Sequence, residues 1–145
     1  MYIGVVGAGE ASPDQTALAH EVGRLLAEQG HVVVCGGLGG VMEAAALGAR
    51  VAGGMVIGLL PGLERNAANP YVTVALPTGM GELRNGLIVR ASDALICFGG
   101  SWRTLSEVAL ALRTGVPVVT LAAWDLPEGP VRAADPAEAV RLATS

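Results

Sequence analysis

Along the chain, short unbroken apolar runs alternate with longer stretches in which apolar residues recur every three to four positions. The first pattern fits strands buried on both faces and the second fits amphipathic helices. Their alternation predicts an α/β fold, a doubly wound and mainly parallel sheet flanked by helices. Met1–Val6 reads as a strand ending in Gly7-Ala8-Gly9. Ser12-Pro13-Asp14-Gln15 then opens a helix, with Ser12 as N-cap, Pro13 at the first helical position and Gln15 completing a capping box. Leu18, Val22, Leu25 and Leu26 give that helix one apolar stripe, and Gly30 ends it. His31–Cys35 is a second strand, a helix runs from about Val41 to Val51, and Met55–Leu60 is a third strand. A polar loop at Leu63–Pro70 precedes a short fourth strand at Val72–Ala75. Thr78–Gly81 leads into a helix bearing Arg84, Asn85 and Arg90, with Arg90 read as structural and paired with Asp93. Ala94–Phe98 is a fifth strand, Leu105–Arg113 a helix capped by Gly115, and Val116–Leu121 a sixth strand. Ala122–Ala134 reads as irregular, and Asp135-Pro136-Ala137-Glu138 opens a last helix.

Composition narrows the chemistry. The 145 residues suit one domain, and nothing linker-like divides them. With 52% hydrophobic and 15% charged residues, a disordered tail is excluded. Aromatics are only 3%, so Val, Leu, Ile and Ala must build the core. All nine basic residues are Arg. Without Lys there is no GxxxxGK[ST] phosphate loop and no Schiff-base anchor for pyridoxal phosphate. A net charge of −4 and the lack of a basic run argue against nonspecific nucleic-acid binding. Two Cys and two His are too few for a structural zinc site without carboxylates, so Cys35 and Cys97 read as buried free thiols and no metal site is expected. No apolar run reaches the ~18 residues of a membrane span. No charged segment precedes an apolar one at the N-terminus, so a cytoplasmic protein without membrane contact is expected.

Three glycine-bearing loops fall at the carboxyl ends of the predicted strands: Gly7–Gly9, Gly36–Gly40 and Gly99–Ser101. That edge is where open parallel sheets bind ligands. Glycine lets backbone approach a ligand, and the following helix start points free N–H groups at it. A tight turn explains any one of these loops, but a turn needs one glycine and not the run Gly36, Gly37, Gly39, Gly40. The candidate ligand-binding set is therefore Gly7, Ala8, Gly9, Gly36, Gly37, Gly39, Gly40, Met42, Asn85, Gly99, Gly100, Ser101, Trp102, Arg103 and Thr104. The first loop, GAGEAS, is not GxGxxG, and no acidic residue ends the second strand, so a standard dinucleotide site is disfavoured. Thr104-Leu105-Ser106-Glu107 leaves two readings open. One is a capping box with Thr104 as N-cap and Glu107 three residues on. The other puts Glu107 in the crevice as a catalytic carboxylate. Arg84 is likewise either a surface ion-pair partner or a bidentate anchor for phosphate or carboxylate.

The stretches IGVVGAGEAS, EVGRLLAEQGHVVVCGGLGGVMEAA, GGMVIGLLPG, NPYVTVALPTGM, LRNGLIVRASDALICFGG and TLSEVALALRTGVPVV resemble the lonely guy (LOG) superfamily, whose members are often mislabelled lysine decarboxylases. More narrowly, the chain resembles its small bacterial branch that includes molybdenum-cofactor carrier proteins. The resemblance implies one Rossmann-like, nucleotide-binding domain over residues 1–145. In the superfamily's phosphoribohydrolases, PGGxGTxxE supplies a phosphate loop and a catalytic Glu, and an upstream Arg completes the site. The stretch GGSWRTLSE, Gly99 to Glu107, matches at Gly100, Thr104 and Glu107. Ser101 and Arg103 replace glycines of the motif, and Asn85 replaces the Lys that follows the Arg. The resemblance thus implies Arg84 and Glu107 as the catalytic pair, with Arg103 as the departure that adds both a Cβ and a cation beside the phosphate. Two functions follow as expectations. One is N-glycosidic cleavage of a nucleoside 5′-monophosphate. The other is non-catalytic carriage or sensing of a phosphorylated pterin (the molybdenum cofactor) or of a nucleotide. No cofactor is required for either; a nucleotide or the molybdenum cofactor would be the bound ligand. A homodimer or larger homo-oligomer is expected, because the helix from Leu105 to Leu112 is apolar on most faces.

Overall fold

Seven strands form one all-parallel sheet in the computed structural model, which describes residues 1–126 and 128–145. In chain order they are β1 (Tyr2–Val6), β2 (Val32–Cys35), β3 (Val56–Leu60), β4 (Val74–Pro77), β5 (Ala94–Cys97), β6 (Val118–Thr120) and β7 (Val131–Arg132). Their order across the sheet is β4-β3-β2-β1-β5-β6-β7. Five helices complete the fold: α1 (Pro13–Glu28), α2 (Val41–Val51), α3 (Arg84–Ala91), α4 (Trp102–Thr114) and α5 (Pro136–Ala143).

The near-continuous apolar runs are explained by period-two alternation between two buried faces. Val5, Val33, Cys35, Ala94 and Ile96 pack with α1, α2 and α5, whereas Val6, Val34, Leu95 and Cys97 pack with α3 and α4. The chain winds outward from β1 to β4, returns through α3 to β5 on the other side of β1, and continues to β7. The loops after β1 and β5 therefore leave toward opposite faces and open a crevice at the strands' carboxyl ends.

Several expectations shift. The fourth strand is Val74–Pro77, two residues later than expected, because Val72 packs inward against Gly58 and Thr73 bonds across to Val56. The stretch expected to be irregular contains β7, which pairs with β6; within it, Pro127 lies outside the described residues. The Ser12 hydroxyl caps α1 by accepting the Gln15 N–H at 3.2 Å, but the Gln15 side chain does not complete the box. It donates instead to the Gly99 carbonyl at 3.0 Å and ties the start of α1 to the loop after β5. Asp93 accepts the Tyr2 N–H at 2.7 Å, and no ion pair among the described residues joins it to Arg90. Asp135 caps α5 as expected, and Gly115 adopts the left-handed conformation that closes α4.

Candidate functional site

The first turn of α4 decides the site. Ser101, not Thr104, is the N-cap: its Oγ accepts the Thr104 N–H at 3.2 Å and lies 2.9 Å from the Thr104 hydroxyl. Thr104 is buried inside the helix. Glu107 consequently sits six positions into the helix from its cap, beyond reach of the N-terminal amides, and the capping-box reading fails. Burial, not capping, fixes the Glu107 environment: the residue is 6% exposed, and Oε2 has no hydrogen-bond partner. Burial pushes its pKa up to about 7, against the opposing pull of Arg84 and Arg103.

Arg84 is not a surface residue. It opens α3 at 4% exposure. Nη1 donates to the Gly36 carbonyl at 2.6 Å and also to the Leu59 carbonyl, and Nε donates to Asn85 Oδ1 at 2.6 Å. The guanidinium thus joins the ends of β2 and β3 to α3 through Nε and Nη1, and Nη2 takes no part in these bonds. Burial lowers its pKa, with Glu107 opposing. Because Arg84 Nε can only donate, the Asn85 side chain presents its oxygen to Arg84 and keeps its NH2 group for other partners.

Arg84, Asn85 and Glu107 line a narrow inner cleft with Gly7, Gly36, Met42 and Arg103, over an apolar wall of Val5, Val6 and Ile88. Outside it lies a wider, solvent-open crevice. Its walls are Gly7, Ala8 and Gly9 from the loop after β1 and Ser101, Trp102 and Arg103 from the start of α4, with Glu10, Glu82 and Ser106 at the rim. Arg103 borders both spaces, and its Nη2 stands 3.4 Å from Glu82 Oε1 across the mouth. A third depression is walled by Gly100, Ser101, Trp102 and Trp124, so both tryptophans of the chain flank one loop.

Other members of the expected set serve the fold. Gly40 has φ +65°, and a Cβ there would stand 2.2 Å from the Ala8 carbonyl oxygen. A Cβ at Gly36 would meet Met42 and Arg84, and one at Gly99 would meet the Ala123 backbone. The Gly37 carbonyl accepts the Asn69 N–H at 2.8 Å, and Asn69 Nδ2 donates to Leu38 at 2.9 Å. The loop from Gly36 to Gly40 is therefore rich in glycine because it packs closely on the first loop and on Arg84. Gly37, Gly39, Gly40, Gly99 and Thr104 line none of the three spaces. Gly9 is different: it has neither a positive φ nor a neighbour within 4 Å of a would-be Cβ, and it faces the open crevice.

Val5, Val6, Glu10, Glu82, Ile88, Ser106 and Trp124 are the lining residues that sequence patterning missed. Trp124 lies in the stretch read as irregular, and no local signal places it beside Trp102. Cys35 and Cys97 are buried, with pKa values raised by burial, to about 11 for Cys35. Among the described residues, no helix is long and apolar enough to cross a membrane.

With this geometry, the chain has clear relatives. The sequence profile of the SLOG cluster4 family matches residues 1–143. A protein of Archaeoglobus fulgidus described as uncharacterized is 45% identical over 145 residues, covering all of this chain and 95% of its own length. Among solved structures, the molybdenum cofactor binding protein of Rippkaea orientalis superposes with a TM-score of 0.93 at 37% identity, over 99% of this chain and 94% of that one. The molybdenum cofactor carrier protein of Chlamydomonas reinhardtii gives a TM-score of 0.89 at 34% identity, over 97% and 93%.

Proposed function

The chain belongs to the SLOG cluster4 family, and from that premise we propose that it holds the molybdenum cofactor, a phosphorylated pterin, as cargo and performs no chemistry on it. The observation that supports this most is the superposition, at TM-score 0.93 and over nearly the whole length, on a molybdenum cofactor binding protein. The donor set fits such a cargo. A phosphate suits the outer crevice, where α4 begins, the Ser101 hydroxyl and Arg103 stand at the rim, and Gly9 leaves room for close approach. The ring suits the inner cleft, with its apolar wall and few polar groups.

N-glycosidic cleavage has no support in the comparisons. The same proposal includes a cytoplasmic setting and self-association. The latter is supported by Leu83 and Leu87, which stand 75% and 37% exposed at the start of α3 and within it, and by Leu112, 38% exposed on the neighbouring α4.

The test is retention of cargo. Purified protein mixed anaerobically with molybdenum cofactor should carry about one equivalent through gel filtration, read as pterin fluorescence after oxidation. The same protein incubated with nucleoside 5′-monophosphates should release no free base. Cofactor that elutes apart from the protein would overturn carriage, and base release that Glu107→Ala abolishes would establish the hydrolase in its place.

A further inference from the structure

The inner cleft holds an acceptor without a donor and a donor without an acceptor. Glu107 is 94% withdrawn from solvent by its 6% exposure, yet Oε2 meets no hydrogen-bond partner. A buried oxygen left in this way is costly, and it calls for an explanation that a ligand's donor would supply. Asn85, 7% exposed, has its oxygen taken by Arg84 Nε, so its NH2 group is what it offers the cleft. The same cleft has an apolar wall of Val5, Val6 and Ile88, suited to the flat face of a ring.

We propose that Glu107 and Asn85 read the nitrogenous edge of the cargo's ring, an amide C=O beside a ring N–H and an exocyclic amine, with Asn85 donating to the carbonyl and Glu107 accepting from the N–H groups. This rests on the cargo reading above and specifies which part of the cargo enters the inner cleft. A carboxylate with two acceptor oxygens complements two adjacent N–H donors, and the amide donor beside it complements the neighbouring carbonyl. A ring in which the amine is replaced by a second carbonyl keeps the ring N–H for one Glu107 oxygen but sets an acceptor against the other, which stays desolvated without a donor, so it is disfavoured. The preference depends on the charge of Glu107. The groups facing that carboxyl are Arg84 on α3, Arg103 on α4 and the Cys97 thiol on β5. The two arginines favour the ionised form, and burial opposes it. The ring preference therefore strengthens as pH rises through neutrality.

The experiment compares 6-hydroxymethylpterin phosphate, its counterpart with a carbonyl in place of the 2-amino group, and inorganic phosphate. Each is titrated at pH 6 and pH 8 against wild type, Glu107→Gln and Glu107→Ala, with circular dichroism confirming that the variants fold. Wild type should bind the aminopterin at least tenfold more tightly than the dioxo ring at pH 8, with a smaller ratio at pH 6. Glu107→Ala should erase the ratio while changing phosphate affinity less than twofold. Glu107→Gln, which keeps one acceptor, should retain part of the ratio and lose its pH dependence. Equal binding of the two rings by wild type, or a ratio that survives in Glu107→Ala, overturns the assignment. If wild type still retains intact molybdenum cofactor in that case, the cargo reading stands and only the ring-edge assignment falls. If neither the rings nor the cofactor bind, both fall.

Discussion

At the residue scale, the chain places two ionisable groups where solvation works against them, and each answers differently. Arg84 keeps its charge by spending it on backbone carbonyls, and so becomes a clamp between β2, β3 and α3. Glu107 keeps an unpartnered oxygen and accepts protons more readily than an exposed Glu. That difference has a pH signature. The Glu107 pKa is near 4.5 when unfolded and about 7 when folded, so between these values the folded state holds more protons than the unfolded one. Stability from this group therefore falls as pH rises from about 4.5 through 7, by up to ~3 kcal/mol if the whole shift is realised. Ligand-free wild type should lose thermal stability over that range relative to Glu107→Gln, whose curve should lack this component; parallel curves for the two proteins would contradict the buried titration. The sequence named Arg84 and Glu107 as candidate site residues but left their capping and surface readings open, and the burial of either was not legible in it. TLSE carries the letters of a capping box, and only the position of the true cap, three residues earlier, frees Glu107 for the cleft. Arg84 likewise gives no local sign of burial, because its partners Gly36 and Leu59 lie 48 and 25 residues away.

At the element scale, helix starts do two kinds of work. Ser12 and Asp135 cap α1 and α5 and only hold those helices in place. Ser101 caps α4 and also lines the outer crevice. Replacing any of the three by Ala should cost about 1 kcal/mol in urea denaturation. Only Ser101→Ala should also weaken binding of inorganic phosphate, by roughly 3- to 10-fold, the value of one hydrogen bond of ~0.5–1.5 kcal/mol. Phosphate binding as strong in Ser101→Ala as in Ser12→Ala would remove Ser101 from the anion site. These starts were readable because a cap is local: a short polar side chain, Pro at the first position and an apolar stripe fit within a few residues. The contact between α1 and α2 was not. A Cβ at Gly23 would stand 2.0 Å from the Ala45 carbonyl oxygen, and one at Gly48 would stand 1.9 Å from that of His20, so the helices touch backbone to backbone through two glycines. A mid-helix glycine reads in sequence as a weakness, and its purpose appears only once the second helix is in place.

At the scale of the whole molecule, the proposed self-association has a direct check. Light scattering should give a dimer or larger species, and Leu83→Glu combined with Leu112→Glu should give a monomer that retains its circular dichroism spectrum. A wild-type monomer at high micromolar concentration would remove self-association from the proposal and leave the crevice, which lies within one chain, untouched. The sequence by itself determined the layers and their winding. Apolar runs of strand length between helix-length amphipathic stretches leave a parallel sheet with both faces covered as the arrangement that buries them. It also placed the glycine-bearing loops at one edge, since a loop that follows a strand and precedes a helix lies at the strand's carboxyl end. The tertiary structure decided which of those loops open on the crevice and which face each other. Gly9 opens on the crevice while Gly40 is pressed against Ala8, and the letters are the same. It also decided that Arg84 holds the frame and Glu107 waits for a partner, because solvation and hydrogen-bond supply at a side chain are set by atoms from distant parts of the chain, which no local pattern records.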